Sequence, residues 1–250
     1  MALSRPEQAS QFASRADALR DRFEDAFWCD ELSTYALALD GDKQPCRVRT
    51  SNAGQCLFSG ITTEEHAVKV GGTLLQPDLY SGWGIRTVSA GEPRYNPMGY
   101  HIGCVWPHDN ALIAFGMARY GMANAVSRIF TGLFDAATYF DLHRIPELFC
   151  GFPRDEGQGP ILYPVACAPQ AWSAAAVFLM LQACLGLRIN ALESKVSMVG
   201  PFLPPFLSRA RIMNLSVGGA SVDLLLVRHE HDVTVNVLRR KGDIDIEVLM

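Results

Sequence analysis

Along the first 190 or so residues, apolar side chains recur three and four positions apart, the spacing of helices with one buried face. A helix is predicted over 14–28, with Leu19, Phe23, Ala26 and Phe27 on one side and Arg, Asp and Glu on the other. Thr63 is placed to cap a helix running through Val68 to Leu75, its hydroxyl taking an amide that the first turn leaves unpaired. Pro107-His108-Asp109-Asn110 opens a helix over 111–120, with Gly121 as its stop or hinge. A fourth is predicted over 123–140, with Ile129, Leu133 and Ala136-Ala137 on one face, and a fifth from Pro169 to Leu185, before Gly186. After Pro201 the period changes. Phe202-Leu-Pro-Pro-Phe206 is a proline-bound turn, and strands are predicted over 210–217, 221–228, 232–238 and 243–249. His229-Glu230-His231 and Lys241-Gly242-Asp243 read as the hairpin turns between them. The pattern is therefore mainly α followed by a small antiparallel β segment, with domains predicted at 1–192 and 193–250.

Two stretches fit neither period. Residues 76–107 and 141–168 carry little helix signal, and irregular loops of that size are usually functional. Both concentrate Trp, Tyr, His, Asp and Glu. Aromatic faces stack on the apolar face of a sugar ring while carboxylates take its hydroxyls, so loops of this composition on a helical array suit a carbohydrate.

Composition narrows the classes. The chain has 250 residues, 49% of them hydrophobic, which excludes disorder. A net charge of −4 provides no basic stripe for a phosphate backbone, so nucleic acid is not an expected partner. Charged residues make up 19%, below the roughly 25% of an ordinary soluble domain, which points to helix surface meant to face other protein. The seven cysteines are widely spaced, with no pair two residues apart, and free thiols in a reducing cytoplasm are expected. Residues 168–187 are uncharged and about long enough to span a bilayer. Gln170, Ser173 and Gln182 within them, and the lack of a preceding basic cluster, favour a fully buried core helix, so no membrane is expected. The N-terminus lacks the apolar stretch of a signal peptide.

Several residues are candidates for chemistry, each against a plainer role. Trp83, between two glycines, is a sugar platform or a packed tryptophan in a tight turn, and Arg86 is an orienting donor beside it. Trp106, His108 and Asp109 surround the proline that starts a helix. His108 and Asp109 suit sugar hydroxyls, although Asp109 also suits a cap. The spacing of His101, Cys104, His108 and Asp109 fits no metal scheme well, and neither a metal nor another cofactor is expected. Glu147 is one carboxylate in an apolar run between Pro146 and Gly151. Burying it requires a partner such as Arg144, or a task such as deprotonating water. A Cys150–His108 nucleophile pair lacks an orienting third residue. Gln170 and Trp172, at the start of the fifth helix, line a pocket or simply begin that helix.

Taken in order, Tyr35-Ala-Leu-Ala-Leu-Asp-Gly41, Ser51-Asn52, Ser81-Gly-Trp-Gly-Ile-Arg-Thr87, Tyr95-Asn-Pro, Val105-Trp-Pro-His-Asp-Asn110, Pro146-Glu-Leu-Phe149 and Cys167-Ala-Pro-Gln-Ala-Trp172 resemble the amylo-α-1,6-glucosidase (glycogen debranching) family. That family belongs to the six-hairpin glycosidases, with glucoamylase and mannosylglycerate hydrolase among its relatives. The resemblance runs over almost the whole chain. It implies an (α/α)6 barrel, here partial, and inverting hydrolysis of a glycosidic bond in an oligosaccharide or α-glucan by two carboxylates about 6.5–9.5 Å apart. Glu147 matches the general base. Trp83, Arg86, Trp106, His108, Asp109 and Gln170 fall in segments that line the sugar pocket. The family's general acid lies in a Trp-Lys-Asp-Ser-type segment that this sequence lacks, and five helices do not make a twelve-helix barrel. The expectation is therefore the C-terminal part of such an enzyme, inactive alone. Its partners would be the missing N-terminal half or further copies of itself. The alternative is a non-catalytic carbohydrate-binding or barrel-completing subunit.

Overall fold

A computed structural model describes residues 4–230 and 232–250, and shows two compact units, one of Glu7–Met180 and one of Leu181–Met250 together with the described residues before Glu7, with a division falling inside a helix. Among the described residues there are six α-helices: α1 (Pro6–Phe27), α2 (Asn52–Ser59), α3 (Glu64–Leu74), α4 (Pro107–Arg119), α5 (Ala123–Ala137) and α6 (Ala171–Leu185). Two-residue strands pair antiparallel between α1 and α2, β1 (Trp28–Cys29) with β2 (Thr34–Tyr35) and β3 (Ala38–Leu39) with β4 (Pro45–Cys46). The second unit carries β5 (Leu187–Asn190), β6 (Lys195–Val199), β7 (Arg209–Val217), β8 (Ala220–Arg228), β9 (Val233–Lys241) and β10 (Asp245–Leu249).

In the helical unit, α2, α4 and α5 share a core of Leu57, Ile113, Met117, Ile129 and Leu133. Thr63 caps α3 as the sequence predicts, its hydroxyl accepting from the amide of His66 at 3.3 Å. Gly121 (φ +72°) ends the α4 segment in the left-handed region. Gly116 lets α4 cross α2 closely, since a Cβ there would sit 2.5 Å from the Phe58 nitrogen and 2.7 Å from Leu57 Cβ. Backbone cannot yield as a flexible side chain does. Gly116→Ala is therefore expected to destabilise the unit by about 1–3 kcal/mol, despite alanine's better helix propensity. Urea unfolding followed by circular dichroism measures it, and an unchanged or raised midpoint would refute the close crossing.

Three expectations need correction. First, α2 is missed by the periodicity, and α1 begins at Pro6 rather than Ser14. Leu19, assigned to the buried face of α1, is 51% exposed, and of the residues assigned to that face Phe23 and Phe27 alone are half-buried, stacked on each other at 4.8 Å. Glu24 also ties α1 down, accepting from the Tyr35 hydroxyl (2.7 Å) and the Thr63 amide (3.0 Å) and meeting His66 Nδ1 (2.7 Å). Second, α6 is not fully buried. Up to Met180 only Ser173, Ala176 and Met180 are buried, which is one face, while Phe178 is 75% exposed. An all-apolar helix is buried all round only if neighbours surround it, and here they do so on one side. Among the described residues no helix is long and apolar enough to cross a membrane.

Third, the sheet topology differs from a run of hairpins. β7, β8 and β9 form the expected antiparallel sheet, with Val222, Leu224 and Leu226 of β8 in its core. The β8–β9 turn contains His231, which lies outside the described residues. Lys241-Gly242-Asp243 does not close a hairpin. β10 leaves β9 and pairs parallel with β6, Ile246 opposite Val196, and β6 pairs antiparallel with β5. The residue pattern predicts neither β5 nor β6. Both are short, and alternation over four or five residues is a weak signal beside an apolar helix. Asp223 anchors the larger sheet. Its carboxylate receives Arg239 through Nε (2.8 Å) and Nη2 (3.0 Å) and the Asn214 amide (2.7 Å), which holds its pKa down at about 2.

Candidate active site

The two long irregular segments are held by isolated antiparallel bridges rather than by regular structure. Arg86 pairs with Val105, Val105 with Phe149 and Phe149 with Leu162, so four distant pieces of chain lie side by side. Val105 and Phe149 exchange both backbone bonds, at 2.9 and 3.1 Å. Trp106 and Glu147, 41 positions apart in the chain, are thereby brought to neighbouring places on adjacent segments.

The carboxylate of Glu147, a residue 7% exposed, is not paired with Arg144. Oε1 accepts from the Tyr100 hydroxyl at 2.6 Å, and Oε2 accepts from the Cys167 amide at 3.1 Å. Its own amide donates to the Cys167 carbonyl at 2.9 Å, so backbone and side chain are fixed together. The Tyr100 hydroxyl, followed by the Cys167 amide, holds the carboxyl below the usual glutamate range, and the same bond pushes the Tyr100 phenol up to about 12. An ionised, oriented carboxylate can accept a proton.

Beside it is a cavity of about 390 Å3 walled by Ser51, Asn52, Gln55, Thr87, His101, Trp106, His108 and Asp109. Trp106 links cavity and carboxylate. Its ring meets Tyr100 edge-on at 4.7 Å and His108 edge-on at 5.6 Å, and its Nε1 donates to the Tyr100 carbonyl at 2.9 Å. His108 stacks on Trp172 at 4.8 Å. Burial pushes the His108 ring below the ordinary histidine range, against the pull of Asp109 and Glu147. Its buried Nδ1 has no hydrogen-bond partner among the described residues, which leaves a neutral imidazole able to serve a hydroxyl. Burial pushes the Asp109 carboxyl up, while contacts from Ser51 and Gln55 oppose the shift. Gln55 Nε2 donates to Asp109 Oδ1. Aromatic faces beside polar groups of both kinds can hold a polyhydroxylated ring.

Of the residues expected to bind sugar, Trp106, His108 and Asp109 wall this cavity. Trp83 and Arg86 do not. Trp83 is 2% exposed, with the Arg154 guanidinium 4.3 Å above its ring and Tyr139 edge-on at 5.8 Å. Arg86 is also buried and spends its donors on carbonyls: Nε on Gly151 (2.6 Å), and Nη1 on Pro77 (3.0 Å) and Asp78 (3.2 Å). These two residues are packing and loop-clamping groups, because each ring or guanidinium is already covered by protein. Gln170 is half-buried just before α6, where its carbonyl accepts from Ala174 at 3.1 Å. Cys150 donates its thiol to the Leu162 carbonyl at 3.5 Å, away from a nucleophile's role with His108.

Sequence reasoning left Gln55 and Tyr100 without a role. Gln55 sits four residues after Ser51 on α2, and Ser51-Asn52 as a helix-start signal would have exposed that face. No spacing rule connects Tyr100 with a carboxylate 47 positions away. Tyr100→Phe is expected to raise the Glu147 pKa. A carboxylate held low stabilises the fold above its unfolded pKa, and the gain is lost as pH falls through the folded value. The variant should therefore be less stable by about 1 kcal/mol at neutral pH, with the difference shrinking below about pH 4. Thermal unfolding from pH 3 to 7 tests this, and a pH-independent difference would contradict the assignment.

Known proteins resemble the chain first at the level of fold. The chain is 22% identical to the GH63 mannosylglycerate hydrolase of Thermus thermophilus solved with glucose, with a TM-score of 0.54 over 70% of this chain and 38% of that one. It is 21% identical to an uncharacterized conserved protein of the same organism, with a TM-score of 0.55 over 70% and 40%. Against the GH78 family rhamnosidase of Bacillus sp. GL1 the TM-score is 0.66 at 17% identity, over 97% of this chain and 23% of that one. At these identities the likeness is one of fold, and the first of these structures are matched over about 40% of their length or less. No curated protein matches the chain. The family of the mannosylglycerate hydrolase MGH1-like glycoside hydrolase domain matches residues 1–149, and the chain belongs to it.

Proposed function

We propose that this chain contributes the saccharide pocket and the general base of an inverting glycosidase of the debranching type. Glu147 would take a proton from water on the ring face opposite the leaving group, while Trp106, Trp172, His108 and Asp109 hold the sugar. The observation that carries the reading is the ionised Glu147, fixed by Tyr100 and Cys167 beside a polar, aromatic-walled cavity. The general acid is assigned to a segment outside these 250 residues. Asp109, the carboxyl in the cavity wall, is engaged by Ser51 and Gln55 rather than turned to a leaving group. Helices from that segment would complete an (α/α)6 barrel over the open face of α6. The motif order favours α-1,6-linked glucans as substrate, in the cytoplasm.

The test is hydrolysis by the purified chain of isomalto-oligosaccharides, α-1,6-branched glucan and mannosylglycerate, together with calorimetric binding. Expected is saccharide binding with no turnover, and turnover once a polypeptide carrying the acid segment is added. Turnover by the chain alone, abolished by Asp109→Asn, would place the acid in this chain and refute the assignment. Binding with no turnover in any combination would favour the non-catalytic module. Exposed apolar side chains such as Phe178 and Val165 should also drive association of the isolated chain. Sedimentation should show concentration-dependent oligomers that Phe178→Lys reduces, and a dilute monomer would count against it.

A further inference from the structure

Two thiols that the proposed chemistry does not use lie between the segment carrying Trp106 and the segment carrying Glu147. Val105 and Phe149 face each other as an antiparallel pair that exchanges both backbone hydrogen bonds. One residue further along each segment are Cys104 and Cys150. Continued one residue past that bridge, the antiparallel register sets them opposite one another, where a regular pair brings its Cα atoms to about 4.5 Å, and the two thiols act on each other electrostatically. The two backbones are also close at the next position outward, because a Cβ on Gly151 would collide with the Gly103 carbonyl. A disulfide requires Cα atoms about 4.4–6.8 Å apart, a range that includes the spacing of such a cross-strand pair. Both residues are fully buried, whereas Cys167 is exposed.

We propose that Cys104 and Cys150 form a cross-strand dithiol that closes to a disulfide under a peroxide oxidant, fastening the Trp106 segment to the Glu147 segment. The Cys150 sulfur attacks the peroxide O–O bond, is oxidised to a sulfenic acid and releases one water. The Cys104 sulfur then attacks that sulfur, the S–S bond forms and a second water leaves. Two thiols and one hydrogen peroxide become one disulfide and two waters. Burial raises both thiols, Cys104 to about 12, while the neighbouring Cys104 opposes the rise of Cys150, so Cys150 attacks first. The linkage encloses the whole of α4 and α5 in one covalent loop, which restricts the unfolded chain. This inference does not depend on the glycosidase reading.

The experiment treats the folded 250-residue chain with hydrogen peroxide, unfolds it in an alkylating agent and maps its peptides without reduction. Expected is a peptide containing Cys104 joined to one containing Cys150, two hydrogens lighter than their sum. It should persist in Cys167→Ser and be lost in Cys104→Ser. The oxidised protein should melt at least about 3 °C above the same protein in dithiothreitol. The proposal is overturned if, at a peroxide dose that fully oxidises Cys167, Cys104 and Cys150 are both alkylated as free thiols. Cys150 joined to a different cysteine, or carried to sulfinic acid, overturns it equally. The mapping is made on the unaltered chain, so it does not depend on whether a variant folds.

Discussion

Glu147→Gln, introduced into the assembly that carries the acid segment, should lower kcat by about 10^3-fold, within the range that loss of a positioned acid or base brings. Saccharide affinity should change by less than about threefold, because the amide keeps the size of the carboxylate and the cavity walls are other residues. The glutamine carbonyl can still accept from the Tyr100 hydroxyl, but its NH2 then faces the Cys167 amide, and two donors cannot satisfy each other. A modest stability loss of about 1 kcal/mol is expected alongside the kinetic effect. Initial rates on a branched glucan, calorimetry and urea unfolding separate the three consequences. A variant with wild-type kcat would remove Glu147 from the role of base, and a variant that also lost binding would make it a substrate ligand instead.

Trp106→Ala should have the largest effect on the pocket itself. The indole is buried, walls the cavity, meets Tyr100 and His108 edge-on and donates to the Tyr100 carbonyl. Removing a buried tryptophan leaves a void and costs about 3–5 kcal/mol. The loss should extend to Glu147, because Tyr100 packs on the indole and holds the carboxylate. Saccharide binding is expected to fall below detection in calorimetry. Trp106→Phe, which keeps an aromatic face, should recover most of the stability but only part of the affinity. Trp83→Ala provides the contrast: it should cost comparable stability while leaving the affinity of the folded fraction unchanged, since that ring lies under Arg154 and away from the cavity. Equal affinity losses from Trp83 and Trp106 would mean that neither ring contacts sugar.

The same contrast shows how much could be read from the chain. Both tryptophans sit in glycine- and proline-rich loops, and local sequence cannot tell a ring that packs from one that faces a cavity. Arg86 has the same ambiguity. A guanidinium beside an aromatic loop is as good a ligand donor as a loop clamp until its neighbours are known, and here Gly151, Pro77 and Asp78 take its donors. His108 and Asp109 were better marked, because a proline-started helix places whatever follows it at the helix entrance. In the C-terminal unit the period-two stretches identified β7, β8 and β9, but pairing is a choice among edges. Nothing in residues 243–249 indicated that β10 would leave β9 for a parallel place beside β6.

The sequence by itself determined the helical array, the change to strands after Pro201, the two long irregular segments and Glu147 as a lone carboxylate in an apolar run. Those features follow from residue spacing and from the high cost of burying an acid without a partner, which are local properties. Only the tertiary structure decided that Tyr100 and Cys167 hold that carboxylate, that Trp83 and Arg86 belong to the interior, and that one face of α6 stays open. The first two depend on which distant segments the Arg86–Val105–Phe149–Leu162 bridges bring side by side, the third on which elements pack against α6, and contacts at that separation leave no periodic trace in the chain.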